Sequence, residues 1–292
     1  MGTARETSET GGSALPPFLF TSGFGFPVCR LGLASYGRTA LTPDDVLSAV
    51  DRGVNFLNWQ GLAEGAADGD AFTAAISSLG NQRQSVAVCA QFGARNEADA
   101  STELRAALTA LGTDYIDVLT LYYVERADEW EELTASSGAV QYLRDAKRDG
   151  AVRRIGITSH QRTLAAQMAK SGLLDTIMIR YNAAHRGAER DVFPVTQPLG
   201  LPVIAYTALR WGALLRTTPD DPAAFSVPRV PDWYRFVLQQ PAVAVTLSAP
   251  QTRAELEENL GVLQAEEPLT NEAYAALAAH GERVRRHAGG FP

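Results

Sequence analysis

From Cys29 onward, short apolar runs alternate with longer stretches in which apolar residues recur at helical spacing. The runs are "CRLGLA" (29–34), "VNFLN" (54–58), "SVAVCAQ" (85–91), "DVLTLYY" (117–123), "RRIGIT" (153–158), "TIMIRYN" (176–182), "PVIAYT" (202–207) and "VAVTLS" (243–248). Strands that alternate with helices pair in parallel, and eight such units predict a closed (β/α)8 TIM barrel of the α/β class. A doubly wound open sheet is the competing architecture, but no G-x-G-x-x-G turn follows the first run. Helix signals agree with the parsing. Thr42 reads as an N-cap with Pro43 at the first helical position, and Gly53 as the stop. Thr252 and Glu255 form a capping box. "TNEAYAALAAHGERVRRHA" predicts a C-terminal helix outside the eightfold count. One domain over 17–292 is expected, preceded by a solvated tail over 1–16 built of Ser, Thr, Gly and charge.

Period-two alternation sorts each strand into two faces. In 117–123, Asp117, Leu119, Leu121 and Tyr123 share one face, and Val118, Thr120 and Tyr122 the other. The leucines suit the outer helices, so Tyr122 is expected to point inward. In 85–91, Val86 and Val88 face out, which leaves Ala87, Cys89 and Gln91 inside. Three neighbouring strands should therefore present Asn58, Gln91 and Tyr122 at one end of the pore.

Composition narrows the function. The 292 residues carry a net charge of −7, with no Lys/Arg cluster, which argues against a nucleic-acid or anionic-membrane partner. No run approaches the ~18 consecutive apolar residues of a membrane span. The two cysteines, Cys29 and Cys89, fall inside strands with no metal-ligand spacing, so a reducing cytoplasm and no metal are expected. A small-molecule substrate is the partner that remains.

Seven segments, in one order along the chain, resemble the aldo-keto reductase family. They are "RLGLASYG", "AVDRGVNFLN", "LRAALTALGTDYIDVLTLYY", "LRDAKRDGAVRRIGITSH", "RYNAAHRGAERDVFP", "YTALRWGALL" and "AELEENL". The resemblance implies an NADP(H)-dependent barrel that reduces aldehydes and ketones with an Asp, Tyr, Lys and His tetrad at the C-terminal strand ends. The tetrad positions are all changed: Asn58 for the aspartate, Ala63 beside Glu64 and Gly65 for the tyrosine, Gln91 for the lysine and Tyr122 for the histidine. Loss of both members of the buried Lys–Asp pair is coherent, because one left alone would cost about 3–5 kcal/mol.

The resemblance also assigns cofactor residues. Tyr206 stands where a ring stacks on nicotinamide, Ser159 near the carboxamide, Thr207 and Leu209 along the pyrophosphate, and Glu258 with Asn259 at adenine. Met178 replaces a carboxamide-binding glutamine. Glu255 replaces the arginine that holds the 2′-phosphate, with Arg253 the nearest substitute. NADP(H) is the expected cofactor and NAD(H) the other candidate. Asn58, Gln91 and Tyr122 are the catalytic candidates, acting through neutral hydrogen bonds. Trp59, His160 and Trp211 are candidates for the substrate pocket. Tyr122 reads equally as an oxyanion donor or a pocket-filling ring, and His160 as a general acid or a packing residue. Two other functions stay open on the same barrel: a cyclisation, dehydration or isomerisation, and non-catalytic ligand sensing.

Overall fold

The computed structural model describes residues 16–35, 39–61, 70–287 and 289. The expected tail lies outside them except for Pro16. A two-stranded antiparallel hairpin, β1 (Phe20–Thr21) and β2 (Val28–Cys29), precedes the barrel. The barrel strands are β3 (Leu31–Ala34), β4 (Phe56–Trp59), β5 (Ala87–Phe92), β6 (Val118–Leu121), β7 (Ile155–Ser159), β8 (Thr176–Arg180), β9 (Val203–Tyr206) and β10 (Val243–Ser248). Each pairs in parallel with its neighbours, and β10 closes on β3 with Thr246 opposite Leu31. The (β/α)8 barrel is the fold, and it forms one domain.

Eleven α-helices are described: α1 (Pro43–Asp51), α2 (Ala71–Ser77), α3 (Glu97–Leu111), α4 (Ala127–Thr134), α5 (Ala139–Arg148), α6 (Arg162–Ala169), α7 (Ala188–Asp191), α8 (Phe193–Thr196), α9 (Val230–Leu238), α10 (Arg253–Leu260) and α11 (Asn271–His287). Thr42 caps α1 through a reciprocal bond with Asp45. Thr252 accepts from the Glu255 amide at the start of α10. No described helix is long and apolar enough to cross a membrane.

Two cores result. Inward residues Phe56, Ala87, Cys89, Val118, Met178, Ile204 and Val245 fill the pore, while outward ones such as Leu57, Val88, Leu119 and Ile177 meet the helices. The hairpin plugs the N-terminal end, with Phe24 against Phe56 at 5.3 Å between centroids. Arg30 fixes the plug by donating to the carbonyls of Phe18, Leu238 and Val243 at 2.7–2.8 Å. The run "CRLGLA" is therefore broken at Arg30: Cys29 belongs to the hairpin and only Leu31 onward to the barrel. Both thiols are buried, and burial pushes Cys29 up to about 11 and Cys89 upward as well.

Helix α11 docks on the loop after β8, where a Cβ at Gly281 would fall on the Ala183 carbonyl. Gly281→Ala should therefore cost about 1–3 kcal/mol through overpacking, read as a lower midpoint in urea. An unchanged midpoint would mean that α11 does not sit against this loop.

Candidate active site

A cavity of about 670 Å³ opens at the C-terminal ends of the strands, where barrel sites lie because the strand-to-helix loops converge there. Its floor is neutral. Gln91 Nε2 donates to Asn58 Oδ1 at 3.4 Å and touches Met178 Sδ at 3.8 Å. Thr158 Oγ1 also points at that sulfur, at 3.4 Å. Asn58 and Gln91 are 1% and 4% exposed. Gln91 Oε1 is buried with no hydrogen-bond partner among the described residues. A buried acceptor in that state costs about 1–3 kcal/mol, so a ligand N–H or O–H facing it gains accordingly.

Alternation fails at the end of β6. Tyr123 has φ +46°, a left-handed conformation unusual for a bulky residue, and this turns its side chain into the cavity. Tyr122 does not line the cavity; its amide donates to Phe92 O, and its carbonyl accepts from Arg95 at 2.6 Å. The inward phenol is thus that of Tyr123, which corrects the placement of Tyr122. The Tyr123 ring lies 4.4 Å from that of His160, and the His160 ring meets Tyr206 edge-on at 5.9 Å.

His160 is held by a carboxylate. Its Nδ1 sits 3.2 Å from Glu125 Oε1, and its backbone N–H donates to the same oxygen at 2.7 Å. Burial pushes the imidazole below its ordinary value, the nearby Arg180 charge adds to that, and Glu125 opposes both. The net shift favours the neutral ring. Arg180 closes the inward face of β8, two residues beyond Met178. It lies near the Tyr206 hydroxyl, which donates to Ser159 O at 3.3 Å.

Asn58, Gln91, His160, Tyr206, Thr207, Leu209, Trp211, Glu258 and Asn259 line this one cavity. Three other expected residues do not. Trp59 faces the helix layer, 2% exposed, with Nε1 donating to Thr73 at 2.9 Å, because it is the odd neighbour of inward Asn58. Ser159 turns outward for the same reason and accepts from the Gln161 amide; Thr158 takes the inward place. Arg253 is drawn to Asp45 at 2.8 Å and away from the cavity, which leaves Glu255 and Glu258 on the lining. Ala63, Glu64 and Gly65 lie outside the described residues. Residues that sequence reasoning missed include Tyr123, Glu125, Thr158 and Arg180. Of these four, Thr158 and Arg180 had a signal, since the period-two alternation of β7 and β8 reaches them.

The loop after β9 carries strain. Thr207, Arg210 and Trp211 all have positive φ, between 49° and 59°, at about 1–3 kcal/mol each. This leaves Trp211, at 54% exposure, standing on the rim. Asn259 is anchored beneath by donating to Ser248 Oγ at 2.8 Å.

Residues 42–232 match the sequence model described as the Aldo/keto reductase family. This chain belongs to the aldo/keto reductase family. An aldo-keto reductase, AKR11C1, from Bacillus halodurans in its holo form superposes with a TM-score of 0.70 at 21% identity, over 87% of this chain and 93% of that one. An aldo/keto reductase from Klebsiella pneumoniae, in complex with NADP and acetate, gives a TM-score of 0.71 at 22% identity, over 90% and 95%. The NADH-specific methylglyoxal reductase of Escherichia coli (strain K12) is 28% identical over 123 residues. That match spans 41% of this chain and 36% of the relative's length.

In this aldo/keto reductase, arginines surround His185 in the loop after β8. Burial first, then Arg210, Arg180, Arg162 and Arg285, push His185 down to about 3. His185 is half-buried, with Nδ1 3.4 Å from Asn182 Oδ1. Its folded pKa lies below the unfolded value near 6.5, so the folded state binds fewer protons between the two. The stability this confers is present above pH 6.5 and is lost as pH falls toward 3. His185→Gln should flatten that acid limb in denaturant melts taken from neutral pH downward. A limb of unchanged steepness would remove His185 as its source.

Proposed function

We propose that the protein is a nicotinamide-dinucleotide-dependent oxidoreductase that acts on a carbonyl or alcohol without the Asp–Tyr–Lys–His machinery. The observation that carries this reading is one continuous cavity, running from the neutral Asn58–Gln91 floor past Tyr206 and the 207–215 loop to Glu255, Glu258 and Asn259. The residues fit a dinucleotide. Gln91 Oε1 is an orphaned acceptor suited to a carboxamide N–H, Tyr206 offers a flat ring, the strained loop offers Thr207 and Leu209, and Asn259 offers an amide at the far end. A bound nicotinamide would supply or accept hydride.

The chain's own residues then move the proton. Glu125 holds His160 through Nδ1, which leaves Nε2 as the atom that takes or gives the proton. This is the arrangement of a base oriented by a carboxylate. A neutral His160 favours removal of an alcohol proton, and carbonyl reduction gains as pH falls and the ring is protonated. Tyr123 packs against the imidazole and excludes water from that side. Asn58 and Gln91 hold the substrate or the carboxamide by neutral hydrogen bonds, with no part in proton transfer.

The far end favours NAD(H) over NADP(H). Glu255 and Glu258 line it, and Arg253, the cation expected there, is paired with Asp45 instead. Two carboxylates near a 2′-phosphate repel it by about 1 kcal/mol or more. The NADH specificity named for the Escherichia coli relative supports the same preference.

Calorimetry should give NADH binding about tenfold or more tighter than NADPH, with Glu258→Arg narrowing the gap. Failure of either dinucleotide to bind at millimolar concentration would sink the redox reading. Binding without turnover across a panel of carbonyls and alcohols would select ligand sensing instead.

His160→Gln should lower turnover by ~10²–10⁴, the usual worth of a general acid or base, whereas Tyr122→Phe should change it little. The reverse ranking in steady-state kinetics would return the proton to Tyr122.

A further inference from the structure

We infer that the substrate is an anion, an α-hydroxy acid or its α-oxo acid partner, with the carboxylate on Arg180 and the neighbouring oxygen at His160. The inference deepens the oxidoreductase reading above and rests on it. Among the described residues lining the cavity, Arg180 is the one lysine or arginine. The lining carboxylates come from α10, in the β10 sector, whereas Arg180 and His160 come from adjacent strands β8 and β7. His160 and Arg180 directly follow Ser159 and Ile179, which pair across β7 and β8, and both side chains line the cavity beside Tyr206. The two side chains are therefore close enough to serve neighbouring atoms of one small molecule.

The chemistry of the pair selects the ligand. A guanidinium carries N–H donors in a rigid fork that matches both oxygens of a carboxylate. Arg180 is half-buried, where a charge-assisted bond is stronger than in open water. In an α-hydroxy acid the carboxylate carbon and the reacting carbon are bonded to each other. Holding the carboxylate on Arg180 thus brings the adjacent hydroxyl to His160, whereas a simple alcohol or aldehyde has only the second anchor.

The step balances with a bound nicotinamide dinucleotide as the two-electron partner. With the dinucleotide bound, the hydroxyl proton would pass to His160 Nε2 and the electron pair of the C–H bond would leave as hydride to oxidised nicotinamide as the C=O bond forms. The α-hydroxy acid would be oxidised to the α-oxo acid and the cofactor reduced, and in the reverse direction His160 would return the proton to the oxygen.

Benzoylformate and its methyl ester differ in the charge on the carboxyl group, and calorimetry of both on the full chain, with and without NADH, tests the assignment. Wild type should bind the acid roughly 10²-fold tighter than the ester, the worth of a carboxylate paired with a partly buried cation. Arg180→Met should abolish that preference, and Arg180→Lys should keep part of it as a point charge. Circular dichroism checks that the variants fold. If Arg180→Met does not fold, the wild-type ratio and Arg180→Lys decide. Equal affinity for acid and ester in wild type overturns the inference, as does a full preference in Arg180→Met. So does an Arg180→Met variant that loses NADH binding while keeping the acid, since Arg180 would then serve the dinucleotide phosphates. An acid preference that depends on Arg180 in a chain that binds no dinucleotide would keep the anion site and remove the oxidoreductase reading.

Discussion

Closure of eight parallel strands drives alternate side chains into one narrow pore, and the chemistry at the mouth depends on which residue comes last on each inward face. The pore below is full of Phe56, Cys89, Val118, Ile204 and Val245, so no water column or charge can be accommodated beneath the floor. A Lys–Asp pair at positions 91 and 58 would sit directly on that apolar column. Two amides occupy the same places at 3.4 Å and need no counter-charge. The floor therefore needs no ion pair, and the proposed function takes proton transfer to the rim.

The rim is where the backbone departs from regular geometry. Tyr123 after β6 and Thr207, Arg210 and Trp211 after β9 all adopt positive φ, and all lie on or beside the cavity. Strain of this kind persists only where surrounding contacts hold it. Tyr123 is held by a tilted ring contact with His160 at 4.4 Å, and Arg210 donates to Gly289 O at 2.8 Å. One consequence is that the aromatic wall, the Glu125–His160 pair and Arg180 form a connected group on β6, β7 and β8. The part of the cavity proposed for the dinucleotide lies at β9 and β10. Proton handling and cofactor holding are thus proposed for different sectors of one mouth.

Hydrophobic periodicity made the barrel legible, because eight alternating units leave few other ways to bury so much apolar surface. The same period-two rule puts Asn58 and Gln91 on the lining and would have put Thr158 and Arg180 there as well. It misplaced Tyr122 because the rule assumes extended backbone, and the chain leaves that conformation at Tyr123. Trp59 was expected in the substrate pocket, but it is the outward member of β4. Arg253 could not be read correctly from local sequence, since its partner Asp45 is 208 residues away. Glu125 carried no periodic signal; only the folded loop brings it to His160.

The pH dependence of kcat/KM for alcohol oxidation tests the central proposal, a proton taken by a carboxylate-held imidazole, most directly. The rate should rise along a single limb whose midpoint lies below the ordinary histidine value and should reach its plateau by neutral pH. Glu125→Gln should move that midpoint lower, because the carboxylate is the group that raises it, and His160→Gln should erase the limb. A limb unmoved by Glu125→Gln, or a rate that rises only in the phenol range near pH ~10, would contradict the account and assign the proton to a tyrosine.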